Sequence, residues 1–314
     1  YCTHVRPQNT AVADTIVASI CPFLQLSNIE PAVSQQQFLC FMESKNFFAR
    51  DTSTIDSGIL CCDEQGGGKT FQALFALLHL WTVLDPTLVP GKHNVFKRSP
   101  CLRPMLVVAS KMTLPTWMAE INRLDVPANL FVFIESSTSD AQRTRAFESA
   151  GVIVTTKTAL SADYGAQGCI HHSSMAQFPG PQWECVVVDE VDSVCSDRVS
   201  YPPRRQDDGS WSPIDSKSKY KREFNALLWA THGCPRRLLI TGTPWLSNEP
   251  MGKICCIILL AWPLRAFQKT PVYAARIVPY RGAENVLATM LYQQRTDVVQ
   301  WFQQHFVIGR TLNQ

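Results

Sequence analysis

The stretch that most narrows the fold is residues 58–84, "GILCCDEQGGGKTFQALFALLHLWTVL". An apolar run, a glycine-rich turn and a helical pattern follow one another without a gap. That succession is a strand–turn–helix unit, and it favours a parallel sheet with helices on its faces. The turn also has a chemistry. Gly66, Gly67 and Gly68 let backbone amides point inward at an anion. The start of the helix adds a partial positive charge. In this reading the glycines cradle a β-phosphate, Lys69 contacts β- and γ-phosphates, and the Thr70 hydroxyl holds magnesium. The strict phosphate-loop pattern has glycine at its first position, where this chain has Asp63. The residues alone therefore leave open a glycine-rich helix start with a surface lysine.

The remaining chain repeats the alternation. "MLVVAS" (105–110), "LFVFIE" (130–135), "VIVTT" (152–156), "CVVVDE" (185–190) and "RLLITGT" (237–243) read as fully buried strands. Helical patterns such as "LPTWMAEINRL" (114–124) lie between them. The expected fold is α/β, a doubly wound, mainly parallel sheet with ligands at the carboxyl ends of its strands. Residues 161–182 and 197–222 read as inserted loops, the second rich in Lys and Arg.

At 314 residues the chain is long enough for a substantial core, and a net charge of +3 is too small to argue for nucleic acid by itself. None of the twelve cysteines is in a C-x-x-C spacing, so buried reduced thiols are expected. "CIHH" (169–172) has no partner pair at finger spacing, so no structural zinc is expected. The longest apolar run, "ICCIILLAW" (254–262), is about half of the roughly 20 residues that a membrane span needs, so no membrane is expected.

A carboxylate pair completes the chemistry. "WECVVVDEVD" (183–192) reads as a buried strand that delivers Asp189 and Glu190 at its carboxyl end. Asp189 is placed to hold magnesium, directly or through water, and Glu190 to orient and deprotonate an attacking water. Hydrolysis of a γ-phosphate needs both roles.

Here the chain resembles a known family. Asp-Glu-x-Asp after a strand, following a Gly-Lys-Thr loop, is similar to motifs II and I of superfamily-two helicases. "DEQGGGKTFQAL" resembles most the Swi/Snf-type ATPases, whose loop usually reads Asp-Glu-Met-Gly-Leu-Gly-Lys-Thr. An aspartate at the position of Asp63 is normal there, and Gln65 and Gly67 replace the usual Met and Leu. "SQQQFLCFM" (34–42) resembles the stretch with the adenine-reading glutamine, which makes Gln35 the candidate. "MLVVASKMTLPTWMAEI" (105–121) resembles motif Ia, with Ser110 at a usual proline. "VIVTTKTAL" (152–160) resembles motif Ib, with Lys157 at a common tyrosine. "RRLLITGTPWLSN" (236–248) resembles motif III, whose Thr241, Gly242 and Thr243 would couple the nucleotide site to movement. "HFVIGRT" (305–311) resembles the hand-over to a second lobe, with Gly309 for the family's first Arg.

The resemblance implies a RecA-like ATP-binding lobe over residues 31–311, an unassigned extension over 1–30, and a linker beginning at 312–314. It implies ATP and magnesium as cofactors, with Asp63, Gly66, Gly67, Gly68, Lys69, Thr70 and Gln35 around the nucleotide. It implies double-stranded DNA as partner, touched by Lys111, Thr155, Thr156, Lys217 and Lys219, and a nuclear location. It also implies a second RecA-like lobe with arginine fingers, which the sequence does not reach, so that this segment alone is expected to hydrolyse ATP weakly. Two alternatives stay open: a diverged lobe that binds without turnover, and an unrelated phosphate-loop NTPase.

Overall fold

A computed structural model describes residues 10–24, 29–52, 58–63, 66–165, 183–194, 223–224, 226–227, 230–231, 234–242, 257, 260–261 and 307–308. Among these residues seven strands form one sheet: β1 (Ile59–Cys61), β2 (Met105–Ala109), β3 (Phe131–Ile134), β4 (Val152–Thr156), β5 (Cys185–Val188), β6 (Arg236–Ile240) and β7 (Val307–Ile308). Their order is β3-β4-β2-β5-β6-β1-β7, and every pairing is parallel. The doubly wound parallel sheet expected from the apolar runs is therefore the fold.

The two faces of the sheet sort by the two-residue period of a strand. One core contains Ile59, Cys61, Met105, Val107, Val152, Val154, Val187, Leu238 and Ile240. The other contains Leu60, Leu106, Val108, Ile153, Val186, Val188 and Leu239. Because both faces are covered, the central strands are apolar without alternation.

Helices α1 (Thr10–Ile20), α2 (Val33–Ser44), α3 (Lys69–Leu84) and α4 (Leu114–Arg123) cover the first face. Helices α5 (Asp140–Ser149) and α6 (Lys157–Gly165) cover the second, with Phe224, Leu227, Ile257 and Leu260. Among the described residues no helix is long and apolar enough to cross a membrane.

Three details differ from expectation. β3 was expected to be fully buried, but Phe131, Val132 and Phe133 are half-buried, because among the described residues β3 is the edge of the sheet and pairs on one side only. Motif III's strand ends at Ile240, not 243. Within the first 30 residues, Ile16 and Ile20 are buried one helical turn apart and pack α1 into the first core. Each such burial stabilises by about 1.5–3 kcal/mol.

Of the cysteines described, Cys40, Cys61, Cys62, Cys185 and Cys234 are buried thiols, while Cys101 is exposed. "CIHH", the insertion at 197–222 and Cys255-Cys256 lie outside the described residues, as does all but the first few positions of the insertion at 161–182.

Candidate nucleotide site

At the carboxyl edge of the sheet, β1 leads into the glycine turn, β5 into the acids, and β6 lies between them. Two steps of strand spacing put the turn and the acids roughly 10 Å apart, which suits the two ends of a nucleoside triphosphate's phosphates.

The turn is built by glycine. Gly66 has φ 81° and Gly68 has φ 73°, a left-handed backbone that most side chains resist. Gly68 caps α3, which begins at Lys69. A Cβ on Gly68 would lie 2.7 Å from Nε2 of Gln35, so the end of the Gln35 side chain rests directly against the turn. Gln35 sits in the first turn of α2, where its Oε1 accepts the Ala32 N–H at 2.9 Å. The structure thus brings Gln35, Gly66, Gly67, Gly68, Lys69 and Thr70 to one place.

Lys69 reaches back over the turn, and its Nζ donates to the Asp63 carbonyl at 2.8 Å. Asp63 itself is buried, and its Oδ2 accepts from Nε2 of Gln72 at 2.6 Å. Asp63 was expected among the nucleotide contacts; its carboxylate faces the helix instead. Glu64 and Gln65 lie outside the described residues.

The acid turn is tethered from three segments. From α4, Trp117 Nε1 donates to Asp189 Oδ2 at 2.9 Å. From the start of α6, Lys157 Nζ donates to the Glu190 carbonyl and, at 2.6 Å, to Ser193 Oγ. From the end of β6, Thr241 Oγ1 donates to Asp192 Oδ1 at 2.7 Å. The Thr241 N–H donates at 3.0 Å to the carbonyl of Cys61, the last residue of β1. Thr241 therefore touches both halves of the site. Gly242 follows it, half-buried, and Thr243 lies outside the described residues.

Glu190 has φ 49°, an uncommon conformation for a residue with a side chain. Strained backbone of this kind persists where surrounding contacts hold it, and the Lys157 hydrogen bond is such a contact. Burial raises the Glu190 carboxyl above its ordinary pKa, and Asp189 and Asp192 raise it further against the opposing charges of Lys157 and Lys69. Burial lowers the Lys157 ammonium, opposed by Asp189, Asp192, Glu190 and Glu223.

The donor set fits magnesium and phosphate. Thr70 and Asp189 offer the hard oxygens that magnesium prefers. Asp189 Oδ1 accepts the Glu190 N–H and Oδ2 accepts Trp117, which leaves one lone pair on each oxygen for an ion or its water.

The nucleic-acid candidates fare differently. Lys111 is exposed in the turn after β2. Thr155 is fully buried, and its hydroxyl donates to the Ile134 carbonyl at 2.8 Å. The Thr156 hydroxyl accepts the Ala159 N–H at 3.1 Å and caps α6. A hydroxyl in a strand covered on both faces must be satisfied internally, so neither threonine is presented to a DNA backbone here. Lys217 and Lys219 lie outside the described residues. Ser110, at the family's proline, closes its turn by exchanging hydrogen bonds with Thr113: Ser110 N–H to Thr113 Oγ1 at 3.1 Å and Thr113 N–H to Ser110 Oγ at 3.0 Å.

Sequence reasoning missed Gln72, Trp117's indole and Lys157 as members of the site. Gln72 was legible in part, three residues after Lys69 on the inward face of α3. The other two contacts span 72 and 33 residues and have no local signal.

Comparison with known proteins agrees with this fold. The sequence profile of the SNF2-related domain matches residues 35–201, more than half of the chain. A solved structure of the Sulfolobus solfataricus SWI2/SNF2 ATPase core in complex with double-stranded DNA superposes with a TM-score of 0.56 at 16% identity, covering 93% of this chain and 46% of that one. The Sulfolobus solfataricus SWI2/SNF2 ATPase core domain gives 0.48 at 16% identity, with 91% and 46% covered. The chain thus spans about half the length of the structures it resembles. No curated protein sequence matches it. At such identity the structures speak for the fold alone, and the profile match carries the family. The chain belongs to the SNF2-related domain family, with the RecA-like fold of a Swi/Snf-type ATPase lobe.

Proposed function

We propose that the chain is the ATP-binding lobe of a DNA-dependent ATPase that moves along double-stranded DNA once a second RecA-like lobe completes the site. The observation that carries this reading is Thr241, which joins the end of β1 to the acid turn through one N–H and one hydroxyl. A strand whose end senses both the phosphate turn and the acids is what coupling requires.

Each residue then has a task. Gln35 lies beside the turn for the adenine, and Lys69 leaves the Asp63 carbonyl for the β- and γ-phosphates. Thr70 and Asp189 hold magnesium. Glu190 orients the water and takes its proton, and a carboxyl raised above its ordinary pKa is the better base. Bound magnesium–ATP supplies the reacting phosphoryl group and neutralises charge at its oxygens. The second lobe supplies arginines, worth roughly 10³–10⁵ in rate in related phosphoryl-transfer enzymes. Residues 31–311 form the lobe in this reading, and the protein works in the nucleus on chromatin or damaged DNA.

The similar Sulfolobus core is described in complex with double-stranded DNA, which supports DNA as the partner. Lys111 and the basic insertion with Lys217 and Lys219 are the proposed backbone contacts, so DNA binding falls as salt rises.

The test is titration of the 314-residue chain with a fluorescent ATP analogue and magnesium. Binding that Lys69→Ala abolishes supports the reading, and its absence overturns it. DNA-stimulated turnover of several per second by this segment alone would refute the need for a second lobe.

A further inference from the structure

We infer that Gln72 is the positioning residue of the phosphate turn, and that Asp63 is its anchor, not a nucleotide contact. This rests on the nucleotide reading above and deepens it.

Gln72 lies on the first turn of α3 and is 1% exposed. Its amide is used at every position toward the turn. Nε2 donates to Asp63 Oδ2 at 2.6 Å and, over a longer 3.4 Å, to the Gly67 carbonyl. Oε1 accepts the Cys61 thiol at 3.2 Å. These partners are the last residue of β1, the first residue of the turn, and the residue before the left-handed Gly68. One side chain therefore pins the turn's entry and its middle to the helix beneath it.

The Gly67 contact has a directional consequence. A trans peptide points its C=O and N–H to opposite sides. The Gly67 carbonyl and the Gly68 N–H belong to the same peptide. Drawing that carbonyl inward to Gln72 turns the Gly68 N–H outward, toward the side where a phosphate is bound. Released, the flexible glycine peptide rotates freely, and an outward carbonyl repels the anion. Asp63 contributes by holding Gln72's other hydrogen, while Lys69 holds the Asp63 carbonyl at 2.8 Å.

A buried glutamine that merely satisfies itself would affect folding and leave phosphate affinity untouched. A double-mutant cycle separates the two, read as binding of the fluorescent ATP analogue to the 314-residue chain. Gln72→Leu and Asp63→Leu should each weaken binding by on the order of tenfold, about the worth of one net hydrogen bond. The double variant should be no weaker than the worse single one, because both changes break one brace. Asp63→Asn keeps an oxygen to accept from Gln72 and should bind within about threefold of wild type on the same scale. Wild-type affinity in Gln72→Leu, additive losses, or an Asp63→Asn loss as large as Asp63→Leu overturns the inference. The last result would make the Asp63 charge a ligand contact. If Gln72→Leu does not fold, Gln72→Met keeps the length of the side chain but has no donor; weakened binding supports the brace and unchanged binding overturns it. Absence of any Lys69-dependent binding in wild type instead overturns the nucleotide reading, and this inference with it.

Discussion

The two ends of the sheet hold comparable buried charge and use it oppositely. At the amino end, Arg236 on β6 is fully buried. Its Nε donates to the Phe47 carbonyl at 2.6 Å, its two amino groups reach the Ala49 carbonyl and Glu184, and Glu184 precedes β5. Donors and acceptors close on one another there, and the segment leading into β1 is locked to β5 and β6. At the carboxyl end, Lys157 faces Asp189, Glu190 and Asp192, but Glu190 is half-buried and its backbone is left-handed. Charge that closes on itself fixes a fold. Charge held by neighbours, with one acid only half-buried, makes a site. The amino end should therefore report in stability and the carboxyl end in ligand binding.

The largest test is at Arg236. Arg236→Met leaves Glu184 and two carbonyls without their donor and should cost about 3–5 kcal/mol of unfolding free energy, measured by denaturant titration. ATP-analogue affinity of the folded fraction should not change. Adding Glu184→Leu should recover only part of the loss, because the Phe47 and Ala49 carbonyls stay unpaired. Full recovery would show that the ion pair alone is the lock.

Next comes pH. His79 on α3 is buried against Phe48, next to the Arg236-bound Phe47, with Nδ1 2.7 Å from Ser19 Oγ. Burial lowers its pKa to about 4 from 6.5. The unfolded chain therefore binds the proton first as pH falls. The neutral-state stabilisation is complete above pH 6.5 and is lost as pH drops toward 4, in all about 3 kcal/mol. His79→Gln should flatten this slope between pH 6.5 and 4, as seen in unfolding midpoints. An unchanged slope would place the titrating group elsewhere.

At the carboxyl end, Trp117→Phe keeps an aromatic ring but removes the donor to Asp189 and part of the buried indole's volume. It should cost about 1–2 kcal/mol of stability yet weaken magnesium-dependent nucleotide binding, read as the ratio of affinities with and without the metal. A change in stability alone would move Trp117 to the structural side of the comparison. The smallest effect belongs to neither end. Ser139 caps α5, its Oγ accepting from Gln142 N–H, and Ser139→Ala should cost about 1 kcal/mol with binding untouched.

Much of this was legible in the chain. The strands showed because a strand covered on both faces is an unbroken apolar run, and the phosphate turn showed because its left-handed angles favour glycine. The same rule misled at β3, whose apolar run is an edge, since sequence does not say how many neighbours a strand has. β7 pairs with β1 through only Leu60–Val307 and Cys61–Ile308, too short a run to read as a strand. The motif residues Gln35, Gly66–Gly68, Lys69, Asp189 and Glu190 are assembled by the fold, whereas Thr155 and Thr156 are consumed inside it. A family motif marks a position and says nothing of which way a hydroxyl turns. The tethers from Trp117 and Lys157 were illegible because they join distant segments.

Arg236 opens the five-residue strand β6, and Thr241 follows directly on its last residue, Ile240. A slip of β6 by one residue would turn every side chain to the other face. It would tear Arg236 from Glu184 and Thr241 from Asp192 in the same event. The strand thus has its alignment checked at both ends, and a misaligned molecule loses the amino-end lock and the acid-turn tether together.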